Sequence, residues 1–284
     1  MRSKRSRSAR GMSAEPPRIR RTYFECRFGQ LHVTTAFPVG GGFDEHATLL
    51  CIHRCALSSR VFGPFMQQIG RDRPVYAPDV PGCGESDPPP AKPAIADYAA
   101  AFADFLDQMR FRQVDVLGQH TGSLIAAELA IARPEVVRRV VLAGLPIFPD
   151  GERATRARRA AAIAAAADGS HLRAAWQHAI ELRDPATSLA ATAEDFAIEL
   201  SNGPRCRSMP EAALGYQASE RLRLLEQPVL LVRTQDYLWE ANLRAKSWMR
   251  SLKVLDLPDY GSDIFRSAPG VIAGHLRSFL DRGA

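Results

Sequence analysis

The sequence lacks any apolar run of the roughly 18 residues needed to span a bilayer, so we expect no transmembrane segment. Residues 1–10 are basic, but no apolar stretch follows them as a secretory signal requires, so export is not expected. The chain has only 5 cysteines, an odd number at irregular spacing. We therefore expect no disulfide framework, and a cytoplasmic location fits this composition.

Several binding signatures are also missing. No Gly-x-Gly-x-x-Gly motif follows a strand-like run, which argues against a nicotinamide cofactor. Outside the amino terminus there is no basic stripe or aromatic platform of the kind that binds nucleic acid. Cys51, His53 and Cys55 alternate, but no second pair of ligands accompanies them, so a metal site is not expected. The predicted protein has no cofactor, nucleic-acid partner or membrane contact, and is a monomer or homodimer with a small-molecule substrate or ligand.

The charge is unevenly distributed along the chain. The formal net charge is +6, but residues 1–21 hold eight basic side chains against Glu15 alone, so the remainder is close to neutral. A basic arm can bind nucleic acid or anionic membrane, but it is more often a solvated leader. We predict a disordered leader over residues 1–21.

Short apolar runs alternate with helix-like segments from about residue 46 onward, which predicts a mostly parallel, doubly wound α/β sheet. An earlier pair of alternating segments around Gly29 predicts an antiparallel hairpin at the sheet edge. The predicted hairpin strands cover 23–28 and 30–37, the later strands 47–53, 74–78, 113–117, 139–143, 228–233 and 252–257, and the helices 59–69, 95–109, 122–132, 240–251 and 269–281.

Residues 146–222 interrupt this alternation. Their pattern is mostly helical, including segments 153–167 and 171–183, and no strong strand candidate occurs there. We predict a helical insertion that forms a lid over the carboxyl ends of the strands, where sites in open α/β sheets lie. The core domain is then formed by residues 22–145 and 223–284.

Five motifs occur in an informative order. They are Ile-His-Arg at 52–54, Ala-Pro-Asp-Val-Pro-Gly-Cys-Gly-Glu-Ser-Asp at 77–87, Gly-Gln-His-Thr-Gly at 118–122, Pro-Val-Leu-Leu-Val-Arg-Thr-Gln-Asp at 228–236, and Leu-Asp-Leu-Pro-Asp-Tyr-Gly-Ser-Asp at 255–263. Together they resemble the α/β-hydrolase fold superfamily over about residues 24–282. The third motif resembles the nucleophile elbow, a strand–turn–helix that projects one side chain into the pocket.

The resemblance implies a catalytic set that this chain has altered. The nucleophile position holds His120, the position of the catalytic histidine holds Ser262, and the acid position keeps Asp236. An imidazole at the elbow can act as a base, a proton donor or, rarely, a nucleophile, or it can be a relic of lost chemistry. Asp236 either orients His120, directly or through water, or caps the helix that starts near Glu240.

The resemblance also places the groups that would bind the substrate. The oxyanion donors would be the backbone N–H groups of Thr121 and Cys55, near His53. Arg54 replaces a glycine of the family's turn, which alters that geometry but offers a charge for an anionic substrate. Trp239 is a candidate pocket wall, and the pocket would suit a small organic molecule with one polar handle.

Several functions remain open at this point. The predicted function is hydrolase-like chemistry with an atypical triad in which His120 is the acid/base. In one version His120 activates Ser262, steadied by Asp236 or Asp263; in another the thiol of Cys55 or Cys83 pairs with His120. The alternatives are a lyase-type acid/base enzyme and a non-catalytic small-molecule binding protein.

Overall fold

The computed structural model describes residues 15–39, 45–90, 92–148, 166–206 and 208–282. Its sheet has eight strands in the order β1-β2-β4-β3-β5-β6-β7-β8. The first two strands form an antiparallel hairpin that pairs antiparallel with β4, and all later pairings are parallel. The mostly parallel sheet with its edge hairpin is thus confirmed. The strands are β1 (Arg18–Cys26), β2 (Gly29–Phe37), β3 (Thr48–Ile52), β4 (Val75–Pro78), β5 (Val114–Gln119), β6 (Val137–Ala143), β7 (Val229–Thr234) and β8 (Leu252–Leu257).

The amino-terminal boundary differs from the prediction. β1 begins at Arg18, which pairs with Phe37 of β2, so residues 18–21 belong to the sheet and not to a leader. The start of this strand has no apolar pattern in the sequence, because β1 lies at the sheet edge and its side chains are exposed or half-buried. Residues 1–14 lie outside the described residues.

Helices cover both faces of the sheet and form two apolar cores. Phe102 and Leu124 belong to the core on one face, and Phe65 and Leu276 belong to the core on the other. The helix predicted over 240–251 is instead a short 3-10 helix, Ala241–Ser247. The α-helices are α1 (Gly63–Ile69), α2 (Ile95–Gln108), α3 (Thr121–Ala132), α4 (Ser170–Glu181), α5 (Leu189–Asn202), α6 (Ser208–Gly215), α7 (Ala218–Arg221), α8 (Ile264–Ser267) and α9 (Pro269–Leu280).

The described part of the segment between β6 and β7 contains four α-helices in succession, α4 to α7, and no strand. Much of the predicted helical segment 153–167 lies outside the described residues. The segment contacts the core through apolar side chains such as Met209 and through a two-pronged ion pair, in which Asp195 of α5 lies 2.7 and 2.5 Å from Arg266 of α8. None of the helices in the described ranges combines the length and apolarity that a membrane crossing requires.

Two cysteines are joined, contrary to the sequence-based expectation. Cys83, in the loop after β4, forms a disulfide with Cys206, which ends the 3-10 helix Gly203–Cys206. The two residues are 123 positions apart in the sequence, so their spacing carries no sign of the pairing. The folding of the α5 end onto the β4 loop brings them together.

The loop after β4 is organised by the buried carboxylate of Asp79. Its oxygens accept hydrogen bonds from the His32 Nδ1 at 2.9 Å, the Ser59 N–H at 2.7 Å and the Glu85 N–H at 3.0 Å. Burial alone would raise the pKa of this carboxyl, but these hydrogen bonds lower it to about 2. The ionised form is therefore the form that the folded loop favours.

We expect Asp79→Asn to lower the free energy of unfolding at pH 7 by about 2 kcal/mol, the equivalent of this pKa difference. The pKa of Asp79 is lower in the folded protein than in the unfolded chain. Its contribution to stability is therefore complete above the ordinary pKa of an aspartate, and it is lost as the pH falls through the pKa of the folded state. The difference in unfolding free energy between the wild type and Asp79→Asn should therefore decrease from pH 4 toward pH 2, as measured by urea unfolding. Asp87→Asn, in the same loop but exposed, is the matched control; an equal loss in that variant would contradict the assignment.

Candidate active site

The turn from β5 into α3 forces His120 into an unusual backbone conformation. Its φ is 49° and its ψ is −115°, a region that costs a non-glycine residue about 1–3 kcal/mol. Two glycines allow the turn to pack closely. A Cβ on Gly118 would lie 2.3 Å from the Gly122 carbonyl oxygen, and a Cβ on Gly122 would lie 2.2 Å from the Ile52 carbonyl oxygen. The strained turn is therefore held by backbone contacts with β3 and within the turn itself.

The structure brings His120 and Asp236 together. The Nε2 of His120 lies 3.1 Å from the Oδ2 of Asp236, while the Oδ1 of Asp236 accepts the Leu238 N–H at 2.7 Å. The imidazole is only 7% exposed. Gly144 borders the same edge of the ring, since a Cβ there would lie 3.0 Å from the His120 Cδ2. Asp236 thus orients the imidazole directly and also ties its own loop together.

Ser262 lies near the elbow but does not use its hydroxyl there. Its backbone carbonyl accepts a hydrogen bond from the Gln119 Nε2 at 3.0 Å, and no hydrogen bond among the described residues joins the Ser262 hydroxyl to His120. Asp263 faces the helical segment instead, because its Oδ2 accepts from the Thr187 hydroxyl at 2.6 Å. The dyad in which His120 activates Ser262 is not formed in this structure.

One of the two expected oxyanion donors already has an acceptor. The Cys55 N–H donates to the Thr121 Oγ1 at 2.6 Å. Thr121 is the first residue of α3, where backbone N–H groups have no partner within the helix. Only the backbone of Thr121 was predicted to take part in the site, although its hydroxyl, next to the elbow residue, is visible in the sequence.

His53 does not have the substrate-binding position expected for it. The side chain is completely buried, its Nε2 accepts the Val80 N–H at 2.8 Å, and its Nδ1 lies 2.8 Å from the Arg54 carbonyl oxygen. Burial lowers the pKa of this imidazole, which keeps it neutral. His53 therefore joins two loops below the site and has no free polar atom for a substrate.

Arg54 and Trp239 lie in different environments. An Arg54 nitrogen is 3.9 Å from the Asp195 Oδ2, and its side chain keeps 28% exposure, so its charge is shared with the helical segment. Trp239 packs against Arg233, whose guanidinium lies 4.0 Å from the indole centroid and donates to the Trp239 carbonyl. That stacking holds the indole in place, and its role as a pocket wall stays a prediction.

The thiol alternatives lose support. Cys83 is in a disulfide and is not available as a nucleophile. Burial raises the pKa of Cys55 to about 12, so its thiol stays protonated at neutral pH. No set of three His, Cys, Asp or Glu side chains that could bind a metal comes together in the described part of the chain.

Comparisons with known proteins agree on the architecture. The family model described as alpha/beta hydrolase fold matches residues 47–236. The enol-lactonase of Burkholderia xenovorans LB400 has a similar structure, with a TM-score of 0.77 at 13% identity over 92% of this chain and 100% of the lactonase. A likeness at that identity concerns the fold alone.

Curated relatives match over shorter segments. An uncharacterised protein of Mycobacterium bovis is 30% identical over 107 residues, which are 38% of this chain and 30% of that protein. The 2-hydroxymuconate semialdehyde hydrolase of Pseudomonas sp. (strain CF600) is 39% identical over 84 residues, 28% of each chain. The matches therefore span less than a third of these relatives' own length.

Proposed function

The chain belongs to the alpha/beta hydrolase fold family, and on that premise we propose that it is a hydrolase-like enzyme in which His120, oriented by Asp236, is the acid/base. The observation that carries the proposal is the 3.1 Å contact between the two side chains at the strained elbow. A pair held in this way is costly to maintain, because both the backbone strain and the buried polar groups must be offset elsewhere. Such costs are typical of functional sites.

The contact with Asp236 supports the Nδ1 of His120 as the reacting nitrogen. A carboxylate only accepts hydrogen bonds, so Nε2 carries the hydrogen and Nδ1 keeps the lone pair. The Nδ1 atom then takes a proton from water as the water oxygen attacks a substrate carbonyl. The imidazolium returns that proton to the leaving oxygen as the tetrahedral intermediate breaks down. No stable enzyme ester forms, because an acyl-imidazole would hydrolyse readily.

We place the oxyanion stabilisation on Thr121. Its hydroxyl oxygen accepts the Cys55 N–H, so the hydroxyl hydrogen is left to donate to the negative oxygen that forms on the substrate. The unpartnered N–H at the start of α3 would be the second donor. In this arrangement the Cys55 N–H acts through the hydroxyl and does not touch the substrate.

The proposed substrate is a small ester or lactone. The presence of an enol-lactonase and a 2-hydroxymuconate semialdehyde hydrolase among the similar proteins supports this class. The half-buried Arg54 would bind an anionic group at the far end of the molecule, since Asp195 is bonded mainly to Arg266.

A second candidate, a non-catalytic binding protein, is favoured by one observation. The hydrogen bond from Cys55 to Thr121 occupies a donor that a hydrolase of this family would offer to its substrate. If the hydroxyl only fills that place, the pocket binds a ligand and leaves it unchanged.

A panel of small 4-nitrophenyl esters and lactones distinguishes the two functions. We expect slow turnover by the wild type and no acyl-enzyme by intact-mass spectrometry during turnover. Thr121→Val should lower kcat by about 10²-fold, the scale for loss of one oxyanion donor, while Thr121→Ser keeps most activity. If the Thr121 hydroxyl instead blocks the Cys55 N–H, the effect on turnover has the opposite sign. Thr121→Val would then free the Cys55 N–H and raise turnover. No turnover of any panel member would leave the binding protein as the function.

A further inference from the structure

Three sulfur atoms from separate parts of the chain lie together near the end of α5. Cys83, in the loop after β4, is bonded to Cys206, and Cys55, in the turn after β3, remains a free thiol. The Sγ of Cys55 lies 3.9 Å from the Sγ of Cys206. The Cys55 thiol therefore lies next to the Cys83–Cys206 disulfide. The distance between the Cys55 and Cys206 sulfur atoms is close to van der Waals contact, so no side chain fits between them.

We propose that these residues form a site of internal thiol–disulfide exchange, in which Cys206 bonds either Cys83 or Cys55. The Cys55 thiol loses its proton to solvent and its thiolate attacks the Cys206 sulfur. The Cys55–Cys206 bond forms as the Cys83–Cys206 bond breaks, and Cys83 leaves as a thiolate that takes up a proton. One disulfide and one thiol exist before and after, so the step needs no oxidant or reductant.

The end of α5 is hydrogen-bonded to both loops, so the exchange requires only a small movement of the sulfur atoms. The Oδ1 of the buried Asn202 accepts the Gly84 N–H at 2.7 Å, beside Cys83. Its Nδ2 donates to the Ala56 carbonyl oxygen at 2.7 Å, beside Cys55. Because this amide fixes the helix end between the two loops, Cys206 changes partner without a movement of the helical segment.

Burial determines which thiol can attack. Cys83 is completely buried and Cys206 is 4% exposed, so an external thiol has little access to either sulfur. Cys55 is the free thiol that contacts the bond within the described residues. Exchange should therefore be internal, with a rate that does not depend on protein concentration.

The surroundings of Cys55 set the pH dependence of the step. Burial raises the pKa of its thiol to about 12, and the Glu199 carboxylate of α5 opposes the thiolate further. The Tyr98 hydroxyl of α2 also faces it and has its own pKa raised to about 12, by burial first. The thiolate fraction, and with it the exchange rate, should rise about tenfold for each pH unit below these values.

The exchange would act on the candidate active site. The N–H of Cys55 bonds the Thr121 hydroxyl, so a new bond from Cys55 to Cys206 ties that turn to the end of α5. The inference rests on the sulfur positions alone, and it holds whether or not the pocket turns over a substrate.

Disulfide mapping of the full chain tests the proposal. The oxidised protein is incubated at pH 7, 8 and 9, its free thiols are blocked, and it is digested without reduction for mass spectrometry. We expect a Cys55–Cys206 cross-link to accompany the Cys83–Cys206 cross-link, appearing about tenfold faster per pH unit. In Cys83→Ala, a small oxidant that enters buried sites, such as hydrogen peroxide, should drive formation of the Cys55–Cys206 bond.

Substitutions of two free cysteines provide the controls. Cys55→Ser should abolish the release of a free Cys83 thiol, while Cys26→Ser, at a half-buried position in β1, should leave it unchanged. The proposal is overturned if the wild type keeps only the Cys83–Cys206 bond at every pH and Cys83→Ala forms no Cys55–Cys206 bond. It is equally overturned if Cys83 is released at the same rate in Cys55→Ser.

Discussion

Asp236→Asn is expected to lower kcat/KM by about 10³–10⁴-fold, the scale of a wrong imidazole tautomer in catalytic triads. The reason lies in the second hydrogen bond of this side chain. The Leu238 N–H holds one oxygen of Asp236, so an asparagine would keep its carbonyl oxygen on Leu238 and turn its NH₂ toward His120. The amide would donate to Nε2, which must then be an acceptor, and the proton would move to Nδ1. The proposed base would thus lose its lone pair.

Steady-state kinetics on whichever panel ester is turned over, together with ¹⁵N spectra of the His120 ring, measure this effect. Asp259→Asn, an exposed carboxylate in the loop after β8, is the matched control and should change neither. His120→Gln should be at least as inactive as Asp236→Asn, because it removes the base itself. A loss of less than about tenfold in Asp236→Asn would show that Nδ1 is not the working nitrogen.

The double variant His120→Ser with Ser262→His is expected to become reactive toward a fluorophosphonate probe, from no labelling to labelling of one serine per chain. The exchange would place a serine at position 120 and a histidine at position 262, the residue types that the resemblance to the family implies for a catalytic pair. The Gln119 side chain binds the backbone of residue 262, which places that residue beside the elbow. Asp236, released from position 120, would be available to orient the new imidazole.

The single variants are the controls for this gain of function. His120→Ser alone has a nucleophile position without a base, and Ser262→His alone has no hydroxyl at the elbow, so neither should be labelled. A folded double variant that also stays unlabelled would mean that the loop holds residue 262 out of reach. The hydrogen bond that fixes this loop would explain that result, since Asp184 accepts the Asp263 N–H at 3.0 Å.

The positions of the site could be predicted from the sequence because they follow elements with strong local signals. The apolar runs of β5 and β7 predict buried strands, and the residues just after them, His120 and Asp236, fall at the carboxyl edge of the sheet. The contacts of the side chains could not be predicted in this way. The Cys55–Thr121 hydrogen bond links residues 66 positions apart, and no periodicity records it.

The corrections have a common physical origin. His53 has a residue type that suits a pocket, but its side chain is buried between two loops. Sequence spacing does not indicate the depth of a side chain at the end of a strand. Arg18 shows the reverse error, because an exposed edge strand lacks the apolar pattern by which the other strands were found.

The sequence by itself determined the fold class and the order of strands and helices along the chain. These features depend on local hydrophobic periodicity and turn residues, which act over a few positions of the chain. Only the tertiary structure decided that His120 meets Asp236, that the Thr121 hydroxyl takes the Cys55 N–H, and that Cys206 lies between two cysteine partners. Those contacts join residues tens to more than a hundred positions apart, and they form because packing of the whole chain brings the loops to one place.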